Sequence, residues 1–302
     1  MDTETPSPRF ANIDIWDPAD ILETMIGGQF AAVSAVRAAL PSIQQAALAL
    51  EVRLRRGRSR LIYAGAGTSG RLAVQDGAEL MPTFGWPRDR LLLLIAGGDE
   101  AMTRAVEGAE DETARAADLI QSHQVGKGDC LVAVAASGTT SFTISCLRAA
   151  KLLGALTIGV ANNRATPLLD EADVPIFLET GAEPIAGSTR MNAGTAQRIT
   201  LTLLSTLLMI RLGRVYRGLM VDVQATNTKL VKRKKAMLTY LTGRSETAVM
   251  DALDRAEGDV KVAVLLLEGC DLATSRALLS RTEGHLRAAM ELLKGSASSV
   301  VT

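Results

Sequence analysis

The chain is poor in cysteine, histidine, aromatic residues and net charge, and each shortage closes a route. Three cysteines among 302 residues, Cys130, Cys146 and Cys270, are odd in number and far apart. They suggest neither a disulfide framework nor a zinc site, and suit buried thiols in a reducing cytoplasm. The two histidines, His123 and His285, stand in polar helical surroundings without a serine or cysteine nucleophile motif, so no triad is expected. Thirty-three basic and thirty-three acidic side chains cancel, which removes the broad attraction to nucleic acid or an anionic membrane. The short basic run Lys232 to Lys235 has no interleaved aromatics on which bases could stack, and reads as a solvated helix face. The longest apolar stretch, 199–210, is interrupted by Thr200, Thr202, Ser205 and Thr206 and falls short of the roughly 20 residues that span a bilayer. The first twenty residues are acidic and contain proline, unlike a basic and then apolar leader, so export is not expected.

What remains is an ordinary globular composition, 47% hydrophobic, with the material for a sizeable core. Residues 1–20, with Pro6, Pro8 and Pro18, read as an extended arm that could lie across another subunit. Residues 21–56 are helical in pattern and break at Pro41. Five short apolar runs follow, 61–64, 91–96, 131–135, 156–160 and 174–178, each ending in a polar or glycine-bearing turn. Such runs suit strands buried on both faces. Helical stretches at 72–80, 112–122 and 140–153 lie between them, so the expected class is α/β, a parallel sheet of about five strands flanked by helices. A helix over 191–212 should close the domain. After Gly218 the pattern is helical with no strand candidate, as in a small bundle. The expected organisation is an arm with packing helices over 1–57, an α/β domain over 58–218 and a helical region over 219–302.

Gly65-Ala-Gly-Thr-Ser-Gly-Arg71 matches G-x-G-x-x-G between a strand and a helix. That context also serves dinucleotides. A dinucleotide site wants an acid about 20 positions further on, whereas here the second strand runs into Ala96-Gly-Gly-Asp99-Glu100. Within the loop, Gly67, Thr68, Ser69 and Gly70 offer hydroxyls and the amides of a helix start, which suits a compact phosphate monoester. A similar construction returns as Ser137, Gly138, Thr139 and Thr140, again before a helix. A third polar turn, Ser188-Thr189-Arg190, adds a cation able to pair with phosphate or carboxylate. Glycine and serine after a strand are also ordinary turn residues. Two hydroxyl-rich strand ends at the carboxyl edge of one sheet, with the third turn before the long helix, point to a small phosphorylated ligand, with a sugar phosphate preferred.

These blocks resemble the N-acetylmuramic acid 6-phosphate etherases of the sugar-isomerase (SIS) fold group. The resemblance runs in order through Arg60 to Leu72, Glu79 with Pro82-Thr-Phe-Gly85, Ile95-Ala-Gly-Gly98, Val106-Glu-Gly-Ala-Glu-Asp111, Ala135-Ala-Ser-Gly138, Arg190 to Gln197, Leu219-Met-Val-Asp222 and Ala225-Thr-Asn227. It implies cleavage of the D-lactyl ether of N-acetylmuramic acid 6-phosphate to N-acetylglucosamine 6-phosphate and D-lactate in cell-wall recycling. It implies no metal and no nucleotide cofactor, and it suggests a homodimer, which the cysteines and the absence of a leader place in the cytoplasm. It also places two catalytic carboxylates on Glu79 and Glu110. Family position makes Glu79 the proton donor to the departing lactate oxygen. Glu110 is then the base at C2, or acts towards the water that adds later. Paired carboxylates suit this chemistry when one is kept protonated near neutral pH by burial or by its neighbour. The chain departs from the family pattern at Leu80-Met81, Thr139 and Asn192, the last standing where a lysine is usual. Asn192 would thereby remove a positive charge near the anion. A non-catalytic sugar-phosphate sensor and an aldose–ketose phosphate isomerase are the alternatives that the same fold group allows.

Overall fold

The computed structural model describes the whole chain apart from residues 56, 224–227 and 299–302. The family block at Ala225-Thr-Asn227 therefore lies outside the described residues. Two compact units form, Met1–Gly77 with Arg88–Leu207, and Ala78–Pro87 with Leu208–Thr302.

In the first unit the beginning of the chain is not an extended arm. Met1–Thr5 turns back on itself, Glu4 N–H donating to the Met1 carbonyl at 3.2 Å, and single 3-10 turns follow at Pro8–Phe10 and Ile13–Ile15. Asp17 caps helix α1 (Pro18–Ala38) by accepting the Ala19 N–H at 2.9 Å, with Pro18 in the first helical position. Helix α2 (Leu40–Leu54) starts immediately after Ala39 and holds Pro41 in its first turn, where the missing N–H costs nothing.

The sheet is made of β1 (Leu61–Gly65), β2 (Leu91–Ile95), β3 (Cys130–Val134), β4 (Leu156–Ala161) and β5 (Val174–Phe177), all parallel in the order β2-β1-β3-β4-β5. The helices are α3 (Gly67–Phe84) after β1, α4 (Thr113–Ser122) after β2, α5 (Ser141–Leu152) after β3, α6 (Pro167–Glu171) after β4 and α7 (Asn192–Arg211) after β5. Strands β1, β3 and β4 are buried along their whole length, which is why they read as unbroken apolar runs. Ile62, Ala64, Leu131 and Ala133 enter one core with Ile120, Phe142 and Leu147. Leu61, Tyr63, Val132 and Val134 are as deeply buried on the opposite face.

Register then sets the height of the loops. Gly65 is level with Ile95 and with Val134. The chain leaves three adjacent strands at one level, with β1 in the middle. It runs from β1 to β2 on one side and returns to β3 on the other, so β1 and β3 flank the switch point where α/β sheets open a crevice.

In the second unit, β6 (Val215–Tyr216) pairs antiparallel with β7 (Leu219–Met220). No strand was expected after Gly218, and two residues are too few to show an alternation. The turn residues Arg217 and Gly218 both have positive φ, the geometry of a two-residue hairpin. Helices α8 (Thr228–Thr242), α9 (Glu246–Arg255), α10 (Val260–Leu267), α11 (Leu272–Arg281) and α12 (Leu286–Ser298) complete the unit, with α10 buried from Val260 to Leu266. Ser245, Asp259 and Asp271 cap α9, α10 and α11. The basic run on α8 is not wholly a solvated face, because Lys234 is buried and donates to the Gly258 carbonyl at 2.8 Å. Trp86 is a packing anchor, buried with the Arg214 guanidinium 5.2 Å from its ring. No helix among the described residues is long and apolar enough to cross a membrane.

Candidate active site

The glycines of the first loop do two different jobs. A Cβ on Gly70 would stand 2.8 Å from the carbonyl of Gly65, so α3 can start against the end of β1 only with glycine there. Gly67 has φ +51°, and a Cβ on it would meet a Glu110 carboxylate oxygen at 2.8 Å. The close start aims the first amides of α3, which have no acceptor within the helix, at the space above the sheet.

That space is a cavity of about 420 Å³. Gly67, Thr68 and Ser69 line it from the first loop, Ser137 and Thr140 from the loop after β3, and Gly187 and Thr189 from the turn before α7. Glu110 lines it from the segment after β2. The Thr68 and Ser69 hydroxyls and the Glu110 carboxylate take no protein hydrogen bond among the described residues. Ser137 Oγ accepts the Thr139 N–H at 3.1 Å and lies 3.2 Å from Thr140 Oγ1, which shapes the start of α5. Thr140 is the N-cap of α5 without a side-chain cap bond, so a second helix start opens on the cavity. Arg71 supplies a cation at the wall, and its guanidinium also donates to the Ala101 carbonyl at 2.7 Å and the Arg104 carbonyl at 3.1 Å, tying down the β2 loop.

Several expected residues stand elsewhere. Gly70 and Gly138 are buried beneath the loops, Gly138 against Thr166, and serve backbone packing instead of lining. Thr139 is exposed outside the lining, and Ser188, half-buried, is also outside it, its N–H donating to the Ile185 carbonyl. Arg190 borders a separate groove formed with Leu22 and Ile26 of α1. Asn192 does not face the anion site: its side chain is buried against Gly28 and accepts from Gln29 Nε2 at 3.3 Å, holding α1 to α7. Glu79 lies just over three turns along α3, on the part of the helix grouped with the second unit, and it is exposed. Glu110 is exposed as well, so neither carboxylate has the burial that the sequence reading asked of one of them.

Two acids escaped the sequence reading. Glu183 is buried, and its carboxylate accepts the N–H groups of Asn192 at 2.9 Å and Ala193 at 2.8 Å. The start of α7 is thus filled by the protein's own carboxylate. Burial raises its pKa against the lowering by those two bonds, and the charge of Glu4 adds to the rise. Glu4 itself lines the cavity. No capping motif announces either residue: Glu183 reaches the start of α7 from nine and ten positions before its partners, outside the usual capping spacing, and Glu4 is placed through the distant Thr3–Asn163 contact.

The parallel α/β sheet with switch-point loops around a hydroxyl-lined cavity is that of a ligand-binding α/β domain, and its type is SIS: residues 42–151 match the glucokinase regulatory protein N-terminal SIS domain. The chain is 46% identical over 286 residues to an N-acetylmuramic acid 6-phosphate etherase of Deinococcus radiodurans, covering 94% of this chain and 93% of that protein. It is 43% identical to one of Streptomyces coelicolor, covering 98% and 95%, and 41% identical to one of an Enterobacter species, covering 96% and 97%. The chain belongs to the N-acetylmuramic acid 6-phosphate etherase family.

Proposed function

We propose that the cavity at the carboxyl edge of the sheet binds N-acetylmuramic acid 6-phosphate and that Glu79 and Glu110 carry its cleavage. The enzyme removes the D-lactyl ether to give N-acetylglucosamine 6-phosphate and D-lactate. The observation that carries the reading is the convergence of the starts of α3 and α5, the Thr68, Ser69 and Thr140 hydroxyls and the Glu110 carboxylate on one cavity.

The 6-phosphate takes the amides and hydroxyls of the first two loops, which suit an anion through both donors and helix dipoles. Because it is remote from the reacting carbons, its binding supplies orientation. In the ring-opened sugar the C1 aldehyde acidifies the C2 proton. A carboxylate takes that proton, the C3–O bond breaks, and the departing lactate oxygen receives a proton from a carboxylic acid. Water then adds across C2 and C3 of the unsaturated aldehyde. Glu79 is the donor to the lactate oxygen, and Glu110 is the base at C2 or towards the entering water. No metal or cofactor enters this scheme.

The working assembly is a cytoplasmic homodimer acting on a small sugar phosphate, with no part for nucleic acid. Support for the dimer is the exposed apolar series Leu22, Ile26, Phe30 and Val33 along α1, at helical spacing. Support for a reducing setting is that the three cysteines are unpaired, with burial pushing the Cys130 and Cys146 thiols up to about 12. Incubation of the pure protein with N-acetylmuramic acid 6-phosphate should release D-lactate. Release no greater than that of a Glu79→Ala control overturns the assignment. Tight sugar-phosphate binding without lactate release or C2 proton exchange is the behaviour of a sensor. Sedimentation as a monomer at working concentration counts against the dimer.

A further inference from the structure

The first five residues are built into the wall of the cavity. Thr3 is fully buried and all three of its polar groups are paired. Its N–H donates to Asn163 Oδ1 at 3.3 Å, its hydroxyl accepts from Asn163 Nδ2 at 2.9 Å, and its carbonyl accepts the Gly187 N–H at 2.9 Å. Asn163 is itself buried at the end of β4 and also donates to the Ala136 carbonyl at 2.9 Å, at the base of the second loop. On the far side, the Thr139 hydroxyl lies 3.9 Å from Met1 Sδ. The segment is therefore a strap from the second loop to the third, clipped at Thr3. Its next residue, Glu4, reaches the cavity, with a carboxylate oxygen 2.9 Å from where a Cβ on Gly187 would stand.

That carboxylate takes no hydrogen bond or ion pair among the described residues. An ionised carboxylate is acceptor-only and calls for O–H or N–H donors. A dianionic phosphate offers none and repels it, whereas the hydroxyl and acetamido groups of an amino sugar offer several. We propose that Glu4 is a specificity-determining residue, which accepts hydrogen bonds from the non-phosphorylated face of the sugar and so fixes which end of the substrate enters the phosphate cradle. Asn163 is the positioning residue that holds the strap for it. This rests on the sugar-phosphate reading of the cavity, not on the division of labour between Glu79 and Glu110.

The test is calorimetric binding of N-acetylglucosamine 6-phosphate and, separately, of inorganic phosphate to the full chain, to Glu4→Gln and to Asn163→Ala, with D-lactate release measured alongside. Glu4→Gln keeps shape and should melt with the parent. It should weaken sugar-phosphate binding about tenfold and leave inorganic phosphate binding equal or tighter. Asn163→Ala should weaken the sugar phosphate similarly, in protein shown to be folded by circular dichroism. Unchanged sugar-phosphate binding in Glu4→Gln overturns the proposal. Tighter binding of both ligands also overturns it and makes the strap an autoinhibitory plug. If the parent binds the sugar phosphate but releases no lactate, the etherase reading fails and the Glu4 result still stands. If the parent binds neither ligand, both fall.

Discussion

The two edges of the parallel sheet treat polar groups in opposite ways. At the amino edge Asp129 is saturated. It accepts from the Arg60 N–H at 3.0 Å, from Arg60 Nε at 3.1 Å and Nη2 at 2.7 Å, and from the Gly126 N–H at 3.0 Å. Arg60 also donates to the His123 and Gln124 carbonyls at 2.8 and 3.0 Å. At the carboxyl edge Thr68, Ser69, Glu110 and Glu4 line the cavity without hydrogen-bond or ion-pair partners among the described residues. The first arrangement stabilises the fold, and the second leaves donors and acceptors available to a ligand that enters the cavity.

The edges should part most widely when Glu110 is replaced. Glu110→Gln is expected to lower kcat for lactate release by about 10²- to 10⁴-fold, while the melting temperature stays with the parent because the side chain is exposed. Loss of stability in parallel with activity would mean that Glu110 belongs to the fold. Asp129→Ala is the converse variant. It leaves Arg60 without its carboxylate and should cost about 2–4 kcal/mol in denaturant unfolding, with kcat of the folded enzyme unchanged.

The same pair sets an acid limit. Burial raises the Asp129 pKa, but the Arg60 side-chain bond, the Gly126 and Arg60 backbone N–H groups and the Arg60 charge together outweigh it and hold the carboxyl below its ordinary value. Its contribution to stability is therefore full above the unfolded pKa of about 4 and is lost as pH falls through the lower folded value. In a series of melts from pH 6 to pH 2, Asp129→Asn should flatten that part of the profile. A variant profile that still follows the parent's would assign the acid limit to other carboxylates.

Smaller effects should separate the loops themselves. Gly70→Ala drives a Cβ into the Gly65 carbonyl and should cost about 1–3 kcal/mol, with weaker phosphate binding because the start of α3 moves. Thr68→Val removes one open hydroxyl. It should raise KM about tenfold without moving the melting temperature, and a shift in melting temperature instead would make Thr68 structural.

Most of the sheet was legible because β1, β3 and β4 are buried on both faces and so appear as apolar runs between turn residues. The hairpin of β6 and β7 was not, since two-residue strands carry no period. The loop at Gly65 to Gly70 was visible as a motif because its function depends on neighbours in sequence. Asn192 was misplaced because its partner is Gln29, 163 positions away. Glu4 was missed for the same reason, its place in the cavity being set by the Thr3–Asn163 contact, whereas Glu183 caps α7 from nine and ten positions before its partners, a spacing that no capping motif covers.

The sequence by itself determined the local matter: buried strands, helix starts with their hydroxyls, and the positions of two family glutamates. These follow from the period and chemistry of neighbouring residues. Only the tertiary structure decided which loops share a cavity, because strand order β2-β1-β3 and the level of Gly65, Ile95 and Val134 are set by pairing between segments remote in the chain. It also decided that Thr3 is clipped to Asn163 and that Glu4 thereby stands in the cavity, a contact across 160 positions that no local pattern encodes.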